Sequence, residues 1–103
     1  MDVSEIIKEL NARIKEKYSD FKGCYLFGSY ARGDFHKDSD IDIVALFDSV
    51  DNDKEMEIYG IVGELDYKYD VFISLLLYTP PRLEKNYFFH NEVVNKGIYY
   101  NAA

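Results

Sequence analysis

The sequence predicts a small α/β or α+β domain, a mixed β-sheet flanked by helices, and three observations carry that prediction. Apolar residues recur at helical spacing near the start and middle of the chain, short apolar runs between them read as strands, and glycine or proline clusters punctuate the pattern. Val3, Ile6, Ile7, Leu10 and Ile14 form the first helical stripe, behind Asp2 and Ser4, either of which can cap it. Cys24-Tyr25-Leu26-Phe27 is the first strand, closed by Gly28-Ser29. Ala31-Arg32 then opens a short helix that Gly33-Asp34 ends, and the polar loop Phe35 to Ser39 leads into the second strand, which runs from Asp40 through Phe47. Asp48 to Asp53 is a polar connection. Ile58, Ile61, Val62 and Leu65 mark a helix over about residues 54–68, weakened by Gly60 and Gly63, which are expected to let it approach the sheet. Asp70 opens the third strand, Asp70-Val71-Phe72-Ile73-Ser74-Leu75. Tyr78-Thr79-Pro80-Pro81 is a break, and a final helix is expected from Pro81 or Arg82 to about Lys96, with Gly97 as its stop. The predicted order is α, β, short α, β, α, β, α.

At 103 residues, residues 1–103 read as one domain, and 48% hydrophobic with 17% aromatic residues argue for a packed core. The single cysteine, Cys24, cannot form an internal disulfide, and its place in an apolar strand reads as a buried, inert thiol. No apolar signal segment opens the chain and no run approaches a membrane span, so a cytoplasmic protein without a membrane partner is expected. Charge bears on the substrate. With 12 basic against 19 acidic residues and no basic cluster, a long nucleic acid is a poor partner, because such binding draws on Lys and Arg neutralising phosphates. A nucleoside triphosphate differs, since its metal ions bring the positive charge and an acidic site needs them.

The chemistry-bearing residues are Gly28 and Ser29, followed by Asp40 and Asp42. A glycine turn between strand and helix exposes backbone N–H groups to an anion, and Ser29 adds a hydroxyl donor. Asp40 and Asp42 lie two apart on a strand and so share a face. At roughly 6.6 Å apart, an effective dielectric of ~20 gives a mutual repulsion of about 2.5 kcal/mol, which a divalent cation removes. Arg32 and Lys37 flank the turn as candidates for steadying a triphosphate. A third carboxylate must come from a neighbouring strand, and Asp70 is the candidate. Asp66 competes but falls inside a helical pattern, while Asp48, Asp51 and Asp53 read as solvated loop charges. His36 reads as a solvated loop residue and His90 as half-buried packing. Tyr87-Phe88-Phe89 and Tyr99-Tyr100 cannot all face inward, so some are expected to serve a partner surface.

Gly28-Ser29-Tyr30-Ala31-Arg32-Gly33 through Ser39-Asp40-Ile41-Asp42-Ile43-Val44 closely resembles the signature of the DNA polymerase β-like nucleotidyltransferase superfamily, in its minimal nucleotidyltransferase (MNT) branch. The likeness covers nearly the whole chain: Asp70 falls where the third carboxylate is expected, and Val93 to Tyr100 looks like the end of minimal members. The resemblance implies a polymerase β-like palm core and a magnesium-dependent transferase with two ions, ligated by Asp40, Asp42 and Asp70. It implies Gly28, Ser29, Arg32 and Ser39 at the nucleotide, ATP or another nucleoside triphosphate. It also implies a separate helical HEPN partner: in toxin–antitoxin pairs the MNT protein is the antitoxin and can adenylylate the toxin on tyrosine. Two other readings stay open. One is a small-molecule nucleotidyltransferase resembling the aminoglycoside-modifying enzymes, the other a non-catalytic module that binds a partner.

Overall fold

The computed structural model describes residues 2–102. Helix α1 spans Val3–Lys17, capped by Asp2, whose carboxylate accepts from Ser4 N at 3.0 Å. Strand β1 is Gly23–Phe27, the single turn α2 Ser29–Arg32 and strand β2 Ile41–Leu46. Helix α3 covers Asn52–Tyr69, and Asp51 caps it by accepting from Lys54 N at 2.8 Å. Strand β3 is Ile73–Tyr78, followed by α4 at Pro80–Lys85 and α5 at Tyr87–His90. A π-helical turn at Asn91–Asn95 and strand β4 at Ile98–Asn101 complete the order.

Among the described residues the strands form one four-stranded sheet in the order β3-β2-β1-β4. β1 runs antiparallel to both neighbours, setting Phe27 opposite Asp42 and Leu26 opposite Ile98. β2 and β3 are parallel, with Asp42 beside Ser74. Because side chains alternate along each strand, this register sorts residues cleanly onto two faces. On one face Cys24, Leu26, Ile41, Ile43, Ala45, Ile73, Leu75 and Leu77 pack beneath Ile6, Ile7, Leu10 and Ile14 of α1 and Ile58, Ile61, Val62 and Leu65 of α3. Each such side chain contributes on the order of 1.5–3 kcal/mol by leaving water. The other face carries a smaller cluster of Val44, Leu46, Leu83 and Val93, with Tyr25, Phe27, Tyr78, Phe89 and Val94 packed against it.

The end of the chain departs from expectation. One helix to Lys96 does not form: Asn86 adopts extended geometry and its side chain accepts from Phe89 N at 3.1 Å, ending α4 and capping α5. Gly97 does stop the helical segment, but for want of space, since a Cβ there would collide with Val93 O and stand 2.7 Å from Leu26 O. Beyond it lies β4, absent from the expected order. Asn11, buried on α1, fastens this strand by donating through Nδ2 to Tyr100 O at 3.4 Å and Asn101 O at 3.2 Å. Tyr100 is accordingly half-buried against the core, whereas Tyr99 is exposed. Gly60 and Gly63 face open space rather than the sheet, so the close approach expected of them is not made.

A buried lysine pins the loops opposite the site. Lys54 Nζ pairs with Asp20 at 2.9 Å, donates to Ser49 O at 2.7 Å, and sits over the rings of Tyr18 and Phe47. Burial alone would push the Asp20 carboxyl up, but the hydrogen bonds from Lys54 and Ser49 outweigh it and hold the group below its ordinary value. Cys24 is buried as expected, and burial pushes its thiol up to about 12. Among the described residues no helix is long and apolar enough to cross a membrane.

Candidate active site

The site begins at the end of β1. Gly28 takes φ 73° and ψ −151°, a conformation that side-chain-bearing residues rarely adopt, and so redirects the chain from strand into α2. A Cβ at this position would collide with Asp42 Oδ2 and lie 3.3 Å from its Cγ. The backbone conformation favours glycine here, and any side chain would also displace the Asp42 carboxylate. Gly28 O accepts from Arg32 N at 3.1 Å, closing the single turn of α2, and Gly33 leaves it in left-handed geometry.

Asp42 lies within β2 on the less covered face and is half-buried; Asp40 immediately precedes the strand and is exposed. The strand thus begins one residue later than expected, with Asp42 inside it and Asp40 close enough for its charge to act on Asp42. Burial raises the pKa of Asp42 first and the charge of Asp40 adds to it, while Arg32 opposes both. Among the described residues neither carboxylate has a hydrogen-bond or ion-pair partner, although Arg32 is nearby: Arg32 pairs with Asp34 at 3.2 Å and Glu92 at 3.5 Å. Two neighbouring carboxylates, one half-buried and neither paired by the chain, are a donor set that a hard divalent cation fits.

The remaining expected residues are dispersed around this pair. Ser29 opens α2 and is half-buried. Ser39 shapes the motif loop, accepting from His36 N at 3.0 Å through Oγ and donating to His36 O at 2.9 Å. His36 is exposed as expected, and its Nδ1 accepts from Asp38 N at 3.3 Å. Lys37 is exposed, and Tyr30 and Phe35 stack with ring centroids 4.3 Å apart.

Asp70 requires correction in its placement. It does not open β3, which starts at Ile73, but ends α3 in left-handed geometry at φ 52°. Helices commonly end on such a conformation, which aspartate tolerates better than most residues, and the strand begins only after the chain has turned. Asp70 lines a cleft of about 250 Å³ with Tyr30, Lys37, Asp38, Ser39, Val71 and Phe72. Among the described residues no three His, Cys, Asp or Glu side chains are gathered into a group able to hold a metal. Asp66 accepts from Ile73 N at 2.9 Å and so serves the start of β3.

Two neighbours of the candidate site carry little signal in the sequence. Glu92 reaches Arg32 across 60 positions of sequence, and nothing in either segment signals that pairing. Ser74, beside Asp42, was legible only to a reading that fixed the start of β3 at Ile73.

A mixed sheet with a glycine turn at the end of one strand and a carboxylate pair at the start of the next defines a nucleotidyltransferase core. The chain matches the nucleotidyltransferase domain over residues 7–100 and belongs to that family. It is 37% identical over 100 residues to a Methanocaldococcus jannaschii protein named "Putative protein adenylyltransferase", covering 95% of this chain and 98% of the relative. Its fold is similar to a toxin–antitoxin crystal structure with AMP-PNP, at TM-score 0.63 and 26% identity over 89% of this chain and 70% of that one. At TM-score 0.52 and 23% identity it also shares the fold of a chain in a complex between a tri-AMPylated Shewanella oneidensis HEPN toxin and its MNT antitoxin, over 89% of this chain and 70% of that one.

Proposed function

We propose that this nucleotidyltransferase moves AMP from ATP to a hydroxyl of a partner protein, a tyrosine of a HEPN-type toxin, and so acts as the antitoxin of a pair. The observation that carries the reading is the unpartnered Asp42 carboxylate seated against the Gly28 turn, with the charge of Asp40 acting on it. Magnesium, two ions in this reading, supplies when bound the positive charge that offsets the triphosphate and the departing pyrophosphate. Asp40 and Asp42 are the residues that would hold it. Gly28 keeps the backbone open to the phosphates, Ser29 and Ser39 offer hydroxyl donors, and Arg32 biases the site toward anions from its place between Asp34 and Glu92. Asp70 is the proposed base for an acceptor that enters the cleft it lines. The acceptor oxygen forms a bond to the α-phosphorus as the bond to the bridging oxygen breaks, pyrophosphate leaves, and the acceptor proton passes to the base.

A protein acceptor is supported by the adenylyltransferase relative, by the toxin–antitoxin neighbour with AMP-PNP, and by Tyr87 and Phe88, which are 74% and 84% exposed on α5. Incubation with α-labelled ATP, magnesium and a small helical protein encoded beside this gene tests the reading. Label should appear on a partner tyrosine. Label on a small molecule would favour the aminoglycoside-type alternative, and no turnover would favour a binding module. Asp70→Asn should keep nucleotide affinity and slow transfer on the order of 100-fold. An unchanged rate would remove Asp70 from the chemistry.

A further inference from the structure

The sheet register places a neutral residue where the carboxylate pair has its third neighbour. On the face that carries Asp42, the side chains across the sheet are Phe27 on β1 and Ser74 on β3. The next residue along β3 on the same side is Leu76, 38% exposed, and Phe72, just before the strand, is 62% exposed. Directly paired positions on neighbouring strands lie ~4.8 Å apart, and their side chains project to the same side. Ser74 is thus the only oxygen-bearing side chain among these neighbours of Asp42, and it is half-buried.

We propose that Ser74 stands at the third ligand place of the Asp40–Asp42 site, so that a neutral hydroxyl completes the protein's donor set. This rests on the reading that the pair holds divalent cations. Two carboxylates and a hydroxyl carry one negative charge fewer than three carboxylates, and hard-cation affinity follows ligand charge. The consequence is a site that takes its cation weakly alone and firmly only when a nucleotide brings phosphate oxygens. The wall beside Ser74, formed by Phe72 and Leu76, is apolar and adds no charge. In this assignment Asp70, held at the end of α3, lies outside the donor set.

Titration calorimetry with manganese in the absence of nucleotide tests the assignment. Ser74→Asp should bind manganese about tenfold more tightly than wild type or better, and its thermal stability should fall without the cation and recover with it. Ser74→Asn, with nearly the same shape and no charge, should show neither change. Ser74→Cys, close to the native residue in size, should gain zinc affinity through its thiolate and keeps the test open if the aspartate variant fails to fold. Asp70→Asn should bind manganese as wild type does. The assignment is overturned if folded Ser74→Asp and Ser74→Cys gain nothing, if Ser74→Asn gains as much as Ser74→Asp, or if Asp70→Asn loses cation binding. These readouts need no turnover. Gained cation affinity in a protein that transfers no nucleotide would uphold Ser74 and defeat the proposed reaction, and the reverse pattern would do the opposite.

Discussion

The two faces of one sheet behave as different materials. Beneath α1 and α3, Ile43, Ala45, Leu26 and Ile73 are fully packed, and the face reads as hydrophobic bookkeeping. The opposite face begins with Asp40 and Asp42, includes Ser74, leaves Leu76 in solvent, and becomes an apolar cluster only toward Val44 and Leu46. Stability is concentrated where burial is complete. The proposed chemistry sits where burial is partial, because a half-buried carboxylate without a partner can bind what a saturated one cannot.

The comparison breaks first at Asp42. Asp42→Asn should lower transfer on the order of 1000-fold and abolish the joint stabilisation by magnesium and nucleotide, as loss of a metal ligand does, while leaving the fold intact. Full retention of that stabilisation in an Asp40→Asn/Asp42→Asn double variant would move the site elsewhere. Leu65→Ala, on the covered face, should do the reverse. It should cost about 2–5 kcal/mol in denaturant unfolding, with turnover of the folded fraction unchanged.

Gly28→Val tests the boundary between the two faces, because its side chain would meet both a strained backbone and the Asp42 carboxylate. The variant should lose about 1–3 kcal/mol of stability and, with Asp42 displaced, its nucleotide binding as well. Binding measured on the folded variant at wild-type strength would show that the close approach is dispensable.

Acid titration gives the smallest and most discriminating signal. The folded pKa of Asp42 is raised above its ordinary 3.8 by burial and by Asp40, so its ionisation opposes folding. Without cations, that cost is absent below about pH 3.8, the unfolded value, and grows as pH rises through the raised folded value. Asp20 has the opposite sign: its lowered folded pKa gives stability that is complete above the unfolded value and lost as pH falls through the folded one. Melting curves in EDTA should therefore show Asp42→Asn gaining on wild type as pH rises from about 4 toward neutrality, with magnesium and nucleotide closing the gap by stabilising wild type. A constant offset across that window would mean that Asp42 ionises as freely in the folded protein as in the unfolded chain.

What could be read from the residues alone was whatever is local or periodic. The stripes of α1 and α3, the runs of β1 and β2, and the glycine turn with its carboxylate pair follow from spacing within a single element, and the family likeness rests on the same stretch. Ile98-Tyr99-Tyr100 lies past the Gly97 stop and has no element assigned to it from spacing, because its strand pairing is with the distant β1, and the Asn86 cap that splits the expected last helix is a side-chain bond with no periodic trace. Only the tertiary structure decided which side chain neighbours Asp42. Asp70 and Ser74 stand four residues apart in one run, and the choice between them depends on where α3 completes its left-handed turn and where β3 enters parallel register with β2. Pairing across strands is a property of two segments at once, and a shift of one residue reverses which side chains share a face.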